Sequence, residues 1–316
     1  MVRSFTAFRE VVLRKRIACF AVAVATFALM AGCGRGKSPI GSPGNPIRMA
    51  VVPSVEQEKL AASGEQLAKM LEKQTGYSIK VSVPTSYAAV VEAMGADQVD
   101  VGWLPPFAYV LANQKFGVNV VLKSIRGGSA SYNGLIITRT DSGIKTIDDL
   151  KGRRFAYVDA LSTSGCIYPK ILLVKKGYDP NKFFRQTIFA GNHDAVIAAV
   201  YKGQVDAGAI YGGPISDARE RMLRTLPDLM SKTRVIAKTD PIPNDTVSVR
   251  KGLPPEVVEK LKAGLLAVAK SEEGRKTVLS LYGIDDLTPA NDSDYESVRR
   301  AARILKIDIT AAVKRG

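Results

Sequence analysis

Alternation constrains this chain more than any other feature. From Ile47 onward, short apolar runs rich in β-branched residues trade places with longer segments whose apolar residues recur at helical spacing. Strands are expected at Ile47–Val52, Ile79–Val83, Val99–Leu104, Val118–Ile125 and Leu135–Thr138. Between them, Gln57–Gln74 repeats Leu60, Gly64, Leu67 and Leu71 on one face, Tyr87–Met94 reads as a second helix, and Pro106–Lys115 as a third, with proline tolerated in its first turn. The pattern restarts after Asp148-Asp149-Leu150-Lys151-Gly152. Strands are expected at Phe155–Val158, Thr187–Phe189, Val205–Ile210, Val235–Ala237 and Val247–Val249, and helices at Gly165–Lys176, Asp194–Tyr201 and Asp217–Leu226; everything from Pro255 reads as helical. A β-α-β-α order predicts an α/β fold with largely parallel sheets, and its restart predicts two lobes. In open α/β sheets a ligand sits beyond the carboxyl ends of the strands, so two such lobes face one another across a cleft that closes by hinge motion.

The first residues read as an address. Arg3, Arg9, Arg14, Lys15 and Arg16 precede an apolar run from Ile17 to Ala31, which is shorter than the roughly 20 residues a spanning helix needs. A basic start, an apolar middle and small residues at the exit are the pattern of a secretory signal. Leu29-Met30-Ala31-Gly32-Cys33 resembles a bacterial lipobox, with Met30 where leucine is commoner; the resemblance implies a signal peptide over 1–32 and a lipidated Cys33. Residues 33–46 carry Gly, Ser, Pro and Asn and almost nothing apolar, which predicts a flexible tether. The formal charge of +15 is large, but acidic residues are interspersed with basic ones beyond the first segment, which favours a mixed solvated surface over a nucleic-acid groove. Three cysteines without paired spacing and a single histidine, His193, argue against a zinc site, and no cofactor is expected.

The unusual residues fall in loops that follow strands. Phe155–Val158 leads through Asp159 to Ser162-Thr163-Ser164-Gly165 and then a helix. One hydroxyl satisfies a helix start; three in a row exceed that need. With the free first-turn N–H groups and the helix dipole they form a compact donor array suited to a tetrahedral oxyanion. A plain cap with incidental neighbours is the simpler alternative. Asn192-His193-Asp194 opens the next helix, where His193 would donate to the same anion or serve only as a capping side chain; with an ordinary pKa near 6.5 its contribution would be pH-sensitive.

Asp-x-x-Ser-Thr-Ser-Gly before a helix, then Gly-x-His-Asp at 191–194 and Gly203–Ala209, resemble the phosphate/phosphite/phosphonate-binding proteins of ABC importers. Val99–Trp103, Tyr109–Ala112, Asp141–Lys145 and Leu150–Gly152 fit the same pattern, so the resemblance runs from about Ile47 to Leu253. It implies a two-lobed type II periplasmic-binding-protein fold with a hinge of two crossover segments: lobe 1 from 47–135 and 240–316, lobe 2 from 136–239. It also implies that Ser162, Thr163, Ser164 and His193 hold phosphoryl oxygens, that Tyr87 and Tyr132 cover the ligand from lobe 1, and that the partner is a transmembrane permease. Each tyrosine taken alone is equally explained by packing. The carboxylate that aminoalkylphosphonate binders carry after the Val-Asp strand is missing from Tyr211-Gly212-Gly213-Pro214, which points to a ligand without an amine. A second family aspartate survives as Asp245, which would accept from a protonated ligand oxygen or serve as a turn residue. Trp103–Phe107 departs from the usual small polar residues and would narrow the pocket or make it more apolar. Cys166 beside His193 allows a Cys/His hydrolase, yet no acid orients the histidine, and a packed thiol is the simpler expectation. The resulting expectation is a monomeric, exported, lipid-anchored binding protein without catalysis or nucleic-acid partner. Its alternatives are a binder of another small oxyanion or organic solute such as a sulfonate, and an extracytoplasmic sensor subunit.

Overall fold

The computed structural model describes residues 38–307. The signal peptide, Cys33 and the first part of the expected tether lie outside the described residues.

The first lobe begins with β1 (Ile47–Val51), α1 (Gln57–Thr75), β2 (Ile79–Ser82), α2 (Tyr87–Gly95), β3 (Val101–Leu104), α3 (Pro106–Phe116) and β4 (Asn119–Ile125). Helix α1 buries Leu60, Gly64, Leu67 and Leu71, the face its spacing predicts, and stops where Gly76 turns left-handed at φ 67°. The chain then crosses into β5 (Ser131–Arg139), β6 (Arg154–Tyr157), a π-helical turn (Thr163–Ile167) continuing into α4 (Tyr168–Lys175), β7 (Gln186–Phe189), α5 (His193–Tyr201) and β8 (Ala207–Gly212). A 3-10 turn (Ala218–Met222), α6 (Leu229–Lys232), β9 (Thr233–Lys238) and β10 (Ile242–Pro243) complete the second lobe. The return brings β11 (Thr246–Val249), α7 (Pro255–Lys270), α8 (Glu272–Tyr282), β12 (Asp286–Pro289) and α9 (Glu296–Ile304) back to the first.

The sheets run β12-β4-β11-β3-β1-β2 and β10-β5-β8-β6-β7, with β9 also on β5. They are mixed rather than largely parallel. β1 pairs in parallel with β2 and β3, but β11 runs antiparallel to β3 and β4 because it enters its sheet from the other lobe, at the end where β3 leaves. β5 stands in the same relation to β8. Since β5 begins at Ser131 and β10 at Ile242, the crossovers are 126–130 and 244–245, a few residues from the expected 135 and 240. They are stitched side by side: Asn244 N donates to Ala130 O at 3.0 Å, and Asn244 Nδ2 to Ser124 O at 2.9 Å.

Three local expectations fail. The tether reading does not hold for the described residues 39–46: Gly41 N donates to Asn45 O, its carbonyl accepts from Ser78 N, and the Tyr77 ring lies against it, so the segment is folded onto α1 and β2. The helix over Asp217–Leu226 shrinks to a 3-10 turn because Asp217 folds onto Arg219, whose guanidinium reaches back to the Thr233 carbonyl at 3.0 Å. β12 interrupts the helical C-terminal region, its short Asp-Leu-Thr-Pro run giving no helical period to contradict.

The first lobe packs an apolar core around Trp103, Tyr109, Phe107 and Met49 that extends across the cleft floor; the second adds a smaller cluster in which Phe155 stacks on Phe184 at 4.3 Å.

Candidate functional site

Loops at the strand ends of both lobes converge on one small chamber of about 30 Å³. From the second lobe come Ser162, Ser164 and His193; from the first come Tyr87 and Tyr132, with Asp245 from the returning crossover. Six of the seven expected contact residues therefore meet, and Thr163 does not line the space.

The serine cradle is built by the chain turning out of β6 into a helix. Ser162 Oγ accepts from Gly165 N at 3.1 Å, and the Ser162 carbonyl accepts from both Cys166 N and Ile167 N at 3.0 Å, the signature of a π-helical start. Gly165 is required: a Cβ there would lie 2.4 Å from Val158 Cγ2 and 2.9 Å from Ser162 Oγ. Thr163 and Ser164 precede the first intrahelical bond, so their N–H groups belong to the orphan donors of a helix start. The Thr163 hydroxyl is turned away from the chamber: Thr163 Oγ1 accepts from Phe107 N at 2.9 Å and ties the cradle to α3 of the other lobe. Ser164 Oγ faces Tyr132, whose phenol is pushed well above its usual pKa, burial first among the causes and Asp245 second.

His193 follows Asn192, whose Oδ1 caps α5 by accepting from Ala195 N at 2.8 Å. His193 Nδ1 accepts from Tyr211 N at 3.2 Å, which leaves Nε2 as the protonated, donating nitrogen. Burial, reinforced by Arg221 and Arg126, pushes the imidazole down to about 3. The expected pH-sensitive cation is corrected to a neutral single donor, because the ring is buried beside two arginines and one of its nitrogens is already an acceptor. The closed arrangement is held by more than the chamber: His193 N donates to Ser54 O at 3.0 Å, and the Asp159 carboxylate faces the N–H of Tyr87 across the cleft.

Asp245 has a partner that the sequence did not suggest. The carboxylate expected to face a protonated ligand oxygen lines the chamber as one half of an ion pair: Arg126 Nη2 donates to its Oδ2 at 2.6 Å. Arg126 Nε donates to Tyr282 O at 3.1 Å and its guanidinium lies 5.6 Å from the Tyr132 ring. Burial opposes the charge on Arg126, but Asp245 outweighs it and raises the guanidinium pKa.

Among the lining residues that the sequence reading did not assign to the site are Arg126, Arg221, Tyr211 and Tyr282. Arg126 sits in the crossover, three positions beyond Lys123 in a Gly-rich turn, and only the crossover geometry turns it inward. Tyr282 ends α8, and its OH donates to Val52 O at 2.8 Å. Tyr211 packs edge-on to His193 at 4.9 Å. Trp103 lies in the first-lobe core, 6.2 Å from Tyr282, and Pro105 supplies the apolar wall instead. Cys166 is fully buried, its thiol pushed up to about 11 by burial.

The chamber thus combines hydroxyl and imidazole donors with two guanidinium groups and one carboxylate already in an ion pair, a polar, net positive space that a small anion would neutralise. Among the described residues no cluster of His, Cys, Asp or Glu is placed to hold a metal, and no helix is long and apolar enough to cross a membrane.

The family model described as the periplasmic substrate-binding protein of phosphonate ABC transporters matches residues 49–295. The phosphate-import protein PhnD of Mycolicibacterium smegmatis is 31% identical over 295 residues, covering 85% of this chain and 87% of that protein. Among solved structures, a binding protein component of an ABC phosphonate transporter from Pseudomonas aeruginosa superposes with a TM-score of 0.74 at 25% identity, covering 83% of this chain and 87% of that one. PhnD1 from Prochlorococcus marinus in complex with methylphosphonate superposes at 0.73 with 22% identity, covering 82% and 98%, a likeness of fold.

Proposed function

The chain belongs to the periplasmic phosphonate-binding family of ABC transporters, and from that premise we propose that it captures a small phosphorus oxyanion in the chamber between its lobes and delivers it to a transmembrane permease. One observation carries the reading. Donors from both lobes, Ser162, Ser164 and His193 against Tyr132 and Arg126, surround a space of about 30 Å³ in which the one lining acid, Asp245, is already paired. A water needs at least ~10–15 Å³ of such space, so the chamber suits phosphate, phosphite or a short alkylphosphonate.

The protein binds without catalysis. The Cys166 thiol is held protonated, and the nitrogen His193 would use as a base accepts from Tyr211 N. The chain acts as a monomer anchored through lipidated Cys33 on the extracytoplasmic face. Partition of the wild-type protein into a detergent phase, and its loss from that phase in Cys33→Ser, test the anchor.

A thermal-shift panel of phosphate, phosphite, methylphosphonate, sulfate and an alkylsulfonate tests the ligand class. At a ligand concentration a hundredfold above Kd, binding stabilises by about 2.7 kcal/mol. Stabilisation by the phosphorus compounds is expected; stabilisation by the sulfur compounds alone would overturn the reading.

A further inference from the structure

The helix starts that face the cleft are capped unequally. Helix α2 has Ser86, whose Oγ accepts from Ala89 N, and α5 has Asn192, whose Oδ1 accepts from Ala195 N. The first-lobe helices α1 and α3 begin at Glu56 and Pro105, and neither has a side-chain cap of its own. A start without a cap leaves backbone N–H groups unsatisfied. Lobe 2 supplies both: Thr163 Oγ1 accepts from Phe107 N at 2.9 Å, and Asp194 Oδ2 accepts from Glu56 N at 3.3 Å.

The second of these bonds has a cause in the sequence. In a capping box the third helical residue is Glu or Gln, and its side chain accepts from the N-cap N–H. The third residue of α1 is Lys59, which carries no acceptor; its Nζ reaches the Glu56 carboxylate at 2.6 Å instead. Asp194, 138 residues along the chain, stands in for the missing acid. Beside it, His193 N donates to Ser54 O at 3.0 Å, so segments 54–56 and 193–194 exchange bonds in both directions across the cleft. Asp194 does not line the chamber; it lines an outer groove of about 1420 Å³ together with Glu56 and Lys59. Burial raises its carboxyl above the usual range, opposed by Arg221 and then by the Glu56 N–H.

We propose that shutting the cleft is a capping step and that Asp194 is its positioning residue: it supplies from lobe 2 the acceptor that the start of α1 lacks, so the first turn of α1 is complete only when the lobes meet. This role presupposes the proposed capture of ligand between the lobes. Asp194 then sets affinity through the open–shut equilibrium and not through contact with the anion, so every ligand of the chamber gains the same factor from it. Two other roles make different demands. A carboxylate acting through its charge alone would repel the oxyanion, and its removal would tighten binding. An acid that only stabilised the first turn of α5, where Asp194 stands, would act independently of Lys59.

The test is a cycle of variants of the full mature chain, read by calorimetry with inorganic phosphate and methylphosphonate and by ligand-free melting curves. Asp194→Ala should weaken both ligands by the same factor, about five- to tenfold. Lys59→Gln gives Glu56 N an acceptor within its own helix whether the cleft is open or shut, and Lys59→Met controls for the lost charge. Relative to Lys59→Met, Lys59→Gln should melt higher without ligand and bind both ligands about threefold more weakly. In the Asp194→Ala background that difference in affinity should vanish, because no bond across the cleft remains to compete with. Phosphate binding unchanged or tightened in a folded Asp194→Ala variant overturns the proposal. So does equal affinity in Lys59→Gln and Lys59→Met, or a difference between them that persists without Asp194. A wild type that binds phosphate but gives any of these results sinks this inference alone. A wild type with no affinity for phosphate, phosphite or methylphosphonate sinks the proposed function with it.

Discussion

In the first lobe Arg48 holds Asp100 through its N–H and guanidinium; in the second, Arg154 holds Asp206 in the same way across the same separation of 52 residues. The correspondence continues to the cleft. Ser86 caps α2 and Tyr87 opens it; Asn192 caps α5 and His193 opens it. Pro105 follows β3 and β8 carries Tyr211, both on the chamber wall. The lobes part at the loops after β1 and β6. In lobe 1 that loop leads into α1 through Glu56, which makes no side-chain cap; in lobe 2 it leads through Ser162 into a π-helical start. One plan thus yields two faces. The second lobe presents donors fixed by the backbone of helix starts, which need little reorganisation to meet an anion. The first presents long side chains, Tyr87 and Tyr132, and the Arg126–Asp245 ion pair.

The largest effect should come from breaking the first lobe's contribution. Arg126→Met strands the Asp245 carboxylate in a nearly enclosed space, and removing one partner of a buried pair costs about 3–5 kcal/mol. The urea midpoint should fall accordingly, and oxyanion binding should vanish because the remaining charge is of the wrong sign. Arg126→Met/Asp245→Leu should recover much of the stability and none of the affinity. Recovery of both would mean that lobe 2 alone binds the ligand, and the comparison drawn above would fail.

Breaking the second lobe's contribution should cost affinity and spare the fold. Ser164→Ala removes a hydroxyl that no internal cap requires, so phosphate affinity should drop by about 1.5–3 kcal/mol at nearly unchanged melting temperature. Calorimetry showing wild-type affinity would remove Ser164 from the cradle. Ser162 is unlike it, since its Oγ already serves Gly165 N.

Much of this arrangement was legible in the residues, and the parts that were not share a cause. Strand and helix alternation, the hydroxyl run and the lone histidine are local patterns, and the fold follows them closely. What escaped was long-range. The direction of β11 and the inward turn of Arg126 depend on how the chain returns through the hinge, where Asn244 bonds Ser124 and Ala130. Arg221 reads as one basic residue among several in Arg219–Arg224, and only the pairing of Arg219 with Asp217 distinguishes the structural arginine from the unpaired one. The motif aspartates Asp100 and Asp206 are legible as marks of the family, but their work is internal: each satisfies an arginine at a strand start.

The neutral His193 separates the faces by pH. Its folded pKa near 3 lies below the unfolded value, so the unfolded chain binds the extra proton between those limits. Its contribution to stability is complete above about pH 6.5 and is lost as pH falls, at roughly 1.4 kcal/mol per pH unit within that window. Phosphate affinity between pH 7 and 8 should show no histidine inflection. Apo stability should decline from pH 6.5 to 5.5, and His193→Gln, which keeps a donor and cannot titrate, should flatten that part of the decline. A decline of unchanged slope in the variant would mean that other groups cause it.

The smallest effect concerns the one expected contact that faces elsewhere. Thr163 Oγ1 accepts from Phe107 N, a bond between lobes rather than to a ligand. Thr163→Val keeps the shape and removes the acceptor, leaving the Phe107 N–H without its partner when the cleft is shut. That penalises the closed state by about 1 kcal/mol and leaves the open state untouched. Because ligand affinity includes the free energy of closure, phosphate binding should weaken by roughly fivefold, the equivalent of that penalty. The same factor should appear for every ligand the chamber accepts. Small-angle scattering of the phosphate-bound variant at subsaturating ligand should show a larger mean radius than wild type, returning to the wild-type value at saturation. If Thr163→Val instead changed the ranking of phosphate, phosphite and methylphosphonate, the hydroxyl would be touching the ligand, and Thr163 would rejoin Ser164 on the binding face.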